Sequence, residues 1–287
     1  MLSRRAVLAG TLLAGLGAAA RADDGTAALE RALADLERRH GGRLGVAILD
    51  TATGREIEHR GDERFPLCST FKFLASALVL ARVDRDEESL TRRIVYAKAD
   101  IVPYSPITET HIGGDGMSVG ELCHAAVTLS DNTAGNLLLD SFGGPSGLTA
   151  YLRSLGDNVT RLDRNEPTLN EAAPGDPRDT TTPAAMVDIL RKTVLGTALS
   201  AGSRDQLAAW LIATTTGDAR LRAGLPKGWK VGDKTGSGGH NATNDIAVIW
   251  PPGRAPLIVA AYYVEARATA DQRNAVLADV GRIAAKV

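Results

Sequence analysis

The sequence predicts an α/β (α+β) protein in which an antiparallel sheet is flanked by terminal helices and an all-α domain is inserted. Three observations support this fold class. Apolar segments of strand length lie near both ends of the chain, helical patterns fill the middle, and a helical pattern adjoins the strands at each end. Because strands and helices are segregated along the chain, the simplest packing places both ends in one sheet.

The amino-terminal elements are a helix and a hairpin. Residues 26–40 carry leucines at helical spacing and stop at two glycines, which is typical of a helix terminus. Residues 44–50 form a compact apolar run, and residues 56–60 provide a partner strand after a turn at Thr53-Gly54. We therefore expect one helix followed directly by an antiparallel strand pair.

Helical patterns dominate the middle of the chain. Residues 69–83 have helical periodicity, and Pro145 and Pro183 each suit the first position of a helix. The tetrads at 118–121 and 203–206 have the pattern of a capping box, which predicts a helix start at each.

An irregular segment interrupts the helices at residues 161–182. It contains three prolines, a glycine and charges throughout. A loop this long inside a compact domain is usually functional. We therefore expect it to contribute to the site.

The carboxyl-terminal part of the chain returns to strands. A capping box at 269–272 then predicts a final helix. Residues 23–60 and 212–287 would form a discontinuous sheet domain, and residues 61–211 an all-α domain. A cleft between two such domains is a common place for a small-molecule site. The three predicted strands are 229–235, 246–250 and 257–264.

Composition and charge exclude several classes of protein. Among 287 residues, 33 Lys and Arg face 34 Asp and Glu, so no basic excess indicates nucleic-acid binding. The five histidines and two cysteines lack metal-ligand spacing, so neither a metal nor another cofactor is expected. We expect Cys68 and Cys123 to be free thiols, since they lie in different predicted helical regions. Nothing marks an assembly surface, which favours a monomer.

The first 22 residues have the layout of an export signal. Arg4 and Arg5 precede a segment of small apolar residues. Residues 20–22 (Ala-Arg-Ala) fit a cleavage site, with cleavage after Ala22. The apolar segment is shorter than the about 20 residues of a membrane span, so no membrane contact is expected after cleavage. The arginine pair resembles a twin-arginine signal, and an ordinary export signal with two chance arginines is the alternative. Both predict a periplasmic or secreted protein.

Three short motifs carry the chemistry. Ser69 and Lys72 place a hydroxyl and an amine on one face of a predicted helix. A serine hydroxyl is a poor nucleophile unless a base takes its proton, and a lysine with a lowered pKa can be that base. Ser-Asp-Asn at 130–132 adds a second hydroxyl, and Lys-Thr-Gly at 234–236 adds a second ammonium. Taken alone, the Ser69–Lys72 spacing can arise by chance, the Ser-Asp-Asn segment can be a helix cap, and the Lys-Thr-Gly segment can be the end of a strand.

Together these motifs resemble the S-x-x-K, S-D-N and K-T-G set of the class A β-lactamases and penicillin-binding proteins. The segment 166–170 (Glu-Pro-Thr-Leu-Asn) resembles the deacylation motif of class A, and residues 161–179 resemble its omega loop. The likeness runs from about Leu44 to the end of the chain. It implies a β-lactamase/transpeptidase-like fold and hydrolysis of the β-lactam amide of penicillins and cephalosporins, which gives antibiotic resistance.

The resemblance also implies roles for the catalytic residues. Ser69 would attack the β-lactam carbonyl and become acylated. Lys72 would move the proton of that hydroxyl, alone or through Glu166 and a water, and the sequence leaves this choice open. Ser130 would pass a proton to the leaving nitrogen. Glu166 would activate the water for deacylation, and Asn170 would position that water.

Substrate-binding roles follow from the same resemblance. The backbone N–H groups of Ser69 and Ser237 would form an oxyanion hole. Lys234 and Thr235 would attract the substrate carboxylate. Asn132 would hydrogen-bond the side-chain amide of the substrate.

Five further residues are implied at the rim of the site and the neck of the omega loop. In some branches of the family an arginine matching Arg220 helps bind the carboxylate, and a solvated loop charge is the alternative. Tyr104 matches an aromatic residue at the rim of the cleft, and an exposed turn residue is the alternative. A cis bond is implied before Pro167. Arg164 and Asp179 would pair across the neck, which would fix the position of the loop.

Three rival functions compete for the same residues. A D,D-peptidase or esterase of this fold would have no need of Glu166 and Asn170. An inactive β-lactam sensor would not need the complete set of catalytic residues. A Ser-His-Asp hydrolase would need a G-x-S-x-G nucleophile elbow, which the sequence lacks. Measured turnover separates the β-lactamase from all three.

Overall fold

A computed structural model describes residues 8–287, with side chains from residue 24 onward. The export signal and cleavage site predicted in residues 1–22 lie outside the residues with described side chains. The strands of the described chain are β1 (Arg43–Asp50), β2 (Arg55–His59), β3 (Phe65–Pro66), β4 (Arg93–Ile94), β5 (Met117–Ser118), β6 (Thr180–Thr181), β7 (Lys230–Ser237), β8 (Thr243–Trp250) and β9 (Leu257–Val264). Its helices are α1 (Leu8–His40), α2 (Phe71–Val83), α3 (Val119–Thr128), α4 (Asn132–Asp140), α5 (Gly144–Ser154), α6 (Pro183–Leu190), α7 (Ala201–Ile212), α8 (Leu221–Gly224) and α9 (Ala270–Ala284).

Five strands form one antiparallel sheet in the order β2-β1-β9-β8-β7. The two ends of the chain meet in its centre, where Val46 of β1 pairs with Ala261 of β9. Helices α1 and α9 pack on one face of the sheet, and helices from the middle of the chain pack on the other. The predicted fold class is therefore confirmed.

Strand β9 shows why the sheet segments are apolar throughout. Val259 and Tyr263 pack against the terminal helices, whereas Ile258 and Tyr262 pack against the helices of the middle region. Side chains alternate between the faces of a strand, so covering both faces buries every residue of β9. Each such aliphatic side chain contributes about 1.5–3 kcal/mol on burial.

Most predicted helix ends are confirmed. Helix α1 ends at His40, before Gly41 and Gly42, whose φ angles are +67° and +73°. Such φ angles suit glycine because it has no Cβ. The capping boxes that begin at Ser118 and Thr269 are both present, at the starts of α3 and α9.

The capping box predicted at residues 203–206 is wrong. Helix α7 begins three residues earlier, with Ser200 as its N-cap residue. Ser203 instead donates its hydroxyl to Asp84 Oδ1 at 2.6 Å, and the backbone N–H of Ser200 donates to Asp84 Oδ2 at 2.7 Å. The carboxylate of Asp84, which is distant in sequence, therefore favours Ser200 over Ser203 as the N-cap residue.

The middle region is mainly helical, with two short ladders that the sequence patterns did not predict. Strand β3 pairs with β6, and β4 pairs with β5. Residues 161–182 are largely irregular, as predicted, apart from a 3-10 turn at Thr168–Glu171 and the short strand β6. Because β3 leads directly into the turn Cys68–Thr70, the β3–β6 pairing brings the end of this loop beside that turn.

Both cysteines are free and buried, which confirms the prediction for Cys68 and Cys123. Burial raises the pKa of each thiol to about 12, so both remain protonated at neutral pH. Among the described residues, no helix is long and apolar enough to cross a membrane.

Candidate active site

Ser69 lies in the turn Cys68–Thr70, immediately before α2. Cys68 has a φ of +45°, in the left-handed region that residues with a side chain rarely adopt. Asn244 on β8 donates from Nδ2 to the carbonyl oxygen of Pro66 at 2.8 Å and so ties the chain just before the turn to the sheet. The turn leaves Ser69 only 8% exposed.

Lys72 lies one helical turn after Ser69 and is completely buried. Its Nζ lies 2.9 Å from Ser69 Oγ, 2.6 Å from Asn132 Oδ1 and 2.8 Å from the carbonyl oxygen of Ser130. It also lies 3.0 Å from Glu166 Oε1. Burial lowers the pKa of Lys72, although the charge of Glu166 opposes this shift. The amine is therefore easier to deprotonate than an exposed lysine and lies in contact with the nearby serine hydroxyl.

Glu166 contacts the same serine hydroxyl. Ser69 Oγ donates to Glu166 Oε1 at 3.1 Å, and Asn170 Nδ2 donates to Glu166 Oε2. The buried Asn170 Oδ1 has no hydrogen-bond partner among the residues with described side chains. One carboxylate therefore joins the hydroxyl to an amide that can still accept a hydrogen bond.

Asn136 holds the backbone of Glu166, although the sequence patterns did not single it out. Its Oδ1 accepts from Glu166 N at 2.9 Å, and its Nδ2 donates to Glu166 O at 3.0 Å. Asn136 lies on α4, the helix that begins with Asn132. One helix thus holds both Lys72 and Glu166. The peptide bond between Glu166 and Pro167 is cis.

The segment 130–132 caps a helix and contacts the buried amines. Asp131 is the N-cap residue of α4 and accepts from Ala134 N at 2.8 Å, which confirms the cap interpretation. Asp131 Oδ2 also accepts from the backbone N–H groups of Ile107 and Thr108, both at 2.9 Å. These bonds fix Asp131, and its two neighbours in the chain contact Lys72.

Lys234 lies on β7 and is completely buried. Its Nζ donates to Ser130 Oγ at 3.0 Å and to the carbonyl oxygen of Thr235 at 2.9 Å. Burial and the charge of nearby Lys72 hold the pKa of Lys234 well below its ordinary value. Lys72 Nζ is 3.4 Å from the same Ser130 Oγ. Ser130 therefore has an amine within hydrogen-bonding distance on each of two elements.

Arg220 enters the same region from the segment before α8. Its guanidinium donates to the carbonyl oxygen of Gly236 at 2.9 Å and to Ser237 Oγ at 2.8 Å. Arg222, two residues further on, forms an ion pair with Asp233 instead. The two arginines therefore have different partners, and only Arg220 lines the cavity described next.

A cavity of about 490 Å³ joins these groups. Lys72, Glu166 and Lys234 do not line the cavity but contact lining residues from beneath. Cationic groups around it favour an anionic ligand. Within the part of the chain that the structure describes, no group of three or more His, Cys, Asp or Glu side chains could hold a metal ion. The predicted site residues that line the cavity are Ser69, Tyr104, Ser130, Asn132, Asn170, Arg220, Thr235 and Ser237.

Comparison with known proteins identifies the family. The sequence model of the β-lactamase enzyme family matches residues 28–287. An ancestral class A β-lactamase has a similar structure, with a TM-score of 0.88 and 68% sequence identity, covering 89% of this chain and 98% of that one. The chain belongs to the class A β-lactamase family.

Two curated relatives support the same assignment. β-Lactamase CTX-M-25 of Escherichia coli is 49% identical over 98% of this chain and 96% of its own. β-Lactamase L2 of Stenotrophomonas maltophilia is 52% identical over 94% of this chain and 89% of its own. Because these matches span nearly the whole chain, the resemblance inferred from the motifs is confirmed.

In this β-lactamase the omega loop, residues 161–179, is closed at its neck by Arg164 and Asp179. Arg164 Nε donates to Asp179 Oδ2 at 2.5 Å, and Asp179 Oδ1 accepts from the backbone N–H of Asp163 at 2.7 Å and of Arg164 at 2.9 Å. The side chains of Asp179 and Arg164 are only 1% and 16% exposed. This pair is therefore less hydrated than a surface ion pair, which typically contributes under about 1 kcal/mol.

The rim of the β-lactamase cleft contains an exposed aromatic residue and a threonine hydroxyl that the sequence patterns did not predict. Tyr104 is 62% exposed, and its carbonyl oxygen accepts from Asn132 N at 3.0 Å. Thr216, which no motif indicated, lies with its Oγ1 2.6 Å from Thr235 Oγ1. A loop threonine carries no pattern of its own, so only the fold reveals it. His240 is exposed in the turn between β7 and β8.

Proposed function

We propose that this β-lactamase hydrolyses the ring amide of penicillins and cephalosporins through a covalent intermediate on Ser69. One observation carries the proposal. The hydroxyl of Ser69 lies 2.9 Å from Lys72 Nζ and 3.1 Å from Glu166 Oε1. A hydroxyl in contact with groups that can take its proton is activated as a nucleophile. Opening of the ring inactivates the antibiotic and gives resistance.

Acylation uses the groups around Ser69. Its oxygen bonds to the β-lactam carbonyl carbon, and its proton passes to Lys72 directly or to Glu166. The carbonyl oxygen takes up negative charge, which the backbone N–H groups of Ser69 and Ser237 stabilise, each such donor contributing about 3 kcal/mol. The ring C–N bond then breaks, Ser130 delivers its proton to the nitrogen, and the proton taken from Ser69 returns to Ser130 through Lys72, whose Nζ lies 3.4 Å from Ser130 Oγ. Ser130 is suited to this step by its bond from Lys234 at 3.0 Å.

Deacylation uses Glu166 and Asn170. Glu166 takes a proton from a water whose oxygen attacks the ester carbonyl carbon. The ester bond to Ser69 breaks, the proton returns to the serine oxygen, and the product leaves with a new carboxylate. The unpaired Asn170 Oδ1, beside the Glu166 carboxylate, supports a role in orienting that water.

Substrate recognition uses the cationic side of the cleft. Thr235 and Arg220 bind the carboxylate of the substrate, Lys234 attracts it from behind the cavity wall, and Asn132 binds the side-chain amide. Tyr104 contacts the substrate at the rim. Lys234 is completely buried and Arg220 is half-buried, and this poorly hydrated setting strengthens the attraction of both cations for an anion. The Arg164–Asp179 pair and Pro167 fix the loop that carries the deacylating residue.

The organisation of the whole chain is proposed on the same basis. Residues 23–60 and 212–287 form the sheet domain, residues 61–211 form the helical domain, and the cleft lies between them. Residues 1–22 form an export signal of the twin-arginine type, and cleavage after Ala22 releases a monomer into the periplasm or the medium.

Turnover of a chromogenic cephalosporin tests the proposed function. At a hundredfold excess of substrate over enzyme, we expect all of the substrate to be consumed, because both acylation and deacylation proceed. A burst of about one equivalent followed by a stall would instead indicate a penicillin-binding or sensor protein. That outcome would remove the role proposed for Glu166.

A further inference from the structure

Arg220 is a half-buried cation at the cavity wall, and its direct hydrogen-bond partners are all neutral among the residues with described side chains. It donates to Asn274 Oδ1 at 3.1 Å, to the carbonyl oxygens of Gly236 at 2.9 Å and Asn244 at 2.6 Å, and to Ser237 Oγ at 2.8 Å. No ion pair is recorded for it within that part of the chain. Neutral acceptors compensate a buried charge incompletely. Four hydrogen bonds to neutral groups thus hold the guanidinium, and its backbone position decides whether they can form.

Two buried carboxylates hold the chain that follows Arg220. Asp233 on β7 and Asp245 on β8 lie on the same face of the strand pair, and both are completely buried. Asp245 Oδ2 accepts from the backbone N–H of Leu221 at 3.1 Å, and Asp233 Oδ1 accepts from Arg222. The two residues after Arg220 are thus each tied to one of the two acids.

We propose that Asp245, assisted by Asp233, is a positioning residue that orients Arg220 toward the carboxylate of the substrate. The inference rests on the proposed function, because it concerns the carboxylate subsite of the β-lactam cleft. Neither acid lines the cavity, so both act through the arginine rather than on the substrate.

Electrostatics supports the same pairing. Burial lowers the pKa of Arg220, and the charges of Asp245 and Asp233 are the two largest effects that oppose this. Burial also raises the pKa of both acids, that of Asp245 well above its ordinary value, so a fixed hydrogen bond rather than a countercharge is the main link to the arginine. Asp245 has the closer structural link, because its hydrogen bond goes to the residue adjacent to Arg220.

Two substitutions at one position test the proposal with benzylpenicillin as substrate. Asp245→Ala leaves the Leu221 N–H without an acceptor, and we expect KM to rise about tenfold while kcat changes much less. Asp245→Asn keeps an amide oxygen for the same hydrogen bond, so we expect its KM to stay within about threefold of wild type. As a matched control, Asp84→Ala removes a carboxylate that caps α7, and its KM should not change.

A double-mutant cycle separates positioning from general destabilisation. In an Arg220→Ala background, Asp245→Ala should raise KM no further, because the residue through which it acts is gone. If Asp245→Ala does not fold, Asp245→Val, which fills the space but accepts no hydrogen bond, replaces it in the same cycle. An equal KM increase with and without Arg220, or a wild-type KM in the single variant, would overturn the inference. Absence of hydrolysis by the wild-type protein would instead overturn the proposed function, and the inference with it.

Discussion

Replacing Asn136 with alanine should impair deacylation more than acylation. The amide of Asn136 makes two hydrogen bonds to the backbone of Glu166, at 2.9 and 3.0 Å. Each hydrogen bond contributes about 1 kcal/mol net, so losing both costs about 2 kcal/mol of the preference for the observed position. Since about 1.4 kcal/mol corresponds to a factor of ten, we expect deacylation to slow about 30-fold. Acylation should change less, because Asn136 does not touch Ser69 or Lys72.

Intact-protein mass spectrometry measures this difference directly. Samples quenched at intervals after mixing with benzylpenicillin should contain the acyl-enzyme as the main species of Asn136→Ala but not of the wild type. Asn158→Ala, at an exposed asparagine, is the control for loss of an amide and should behave like the wild type. A kcat of Asn136→Ala within about threefold of wild type, or no accumulated acyl-enzyme, would refute the argument that these two bonds position Glu166.

Three further predictions follow from the site. Glu166→Ala should form a persistent acyl-enzyme with penicillin, detected by intact mass, and a variant without an adduct would contradict the deacylation role. If Lys72 is the base in acylation, its neutral form is required. The acylation rate measured by stopped flow should therefore rise with pH through a pKa below 10.5, the usual lysine value. A rise centred at or above 10.5 would exclude Lys72 as that base. Gly238→Ala places a methyl carbon 2.7 Å from Cys68 Sγ, whereas Gly202→Ala meets nothing within 4 Å. Overpacking costs about 1–3 kcal/mol, so only the first variant should melt several degrees lower, and equal melting temperatures would contradict the close contact.

Local sequence signals located the chemistry because they encode local geometry. Ser69 and Lys72 are three residues apart, so any helix that begins there brings them together, and the contact is 2.9 Å. The apolar runs at both ends likewise predicted the sheet, because strands covered on both faces need apolar residues throughout. These features depend on neighbours in the chain and can be recognised without the fold.

Long-range contacts explain what the sequence patterns missed. Asn136 contacts Glu166 across 30 residues, and Asp245 contacts Leu221 across 24. Neither residue type marks such a role by itself, since most asparagines and aspartates lie at the surface. The wrong capping box has the same origin, because Asp84, 116 residues away from Ser200, selects one of two competing serines.

The attachment of the omega loop determines which step of the reaction is lost when the protein is damaged. Under the proposed mechanism, the groups that capture an antibiotic lie on helices and strands, while Glu166 lies on a loop secured by Asn136 and by the pair at its neck. Damage confined to that loop leaves a protein of which each copy still reacts with one antibiotic molecule but does not release it. Protection would then depend on the number of protein copies in the cell rather than on elapsed time. The difference between a catalyst and a stoichiometric scavenger therefore rests on a few bonds outside the hydrophobic core.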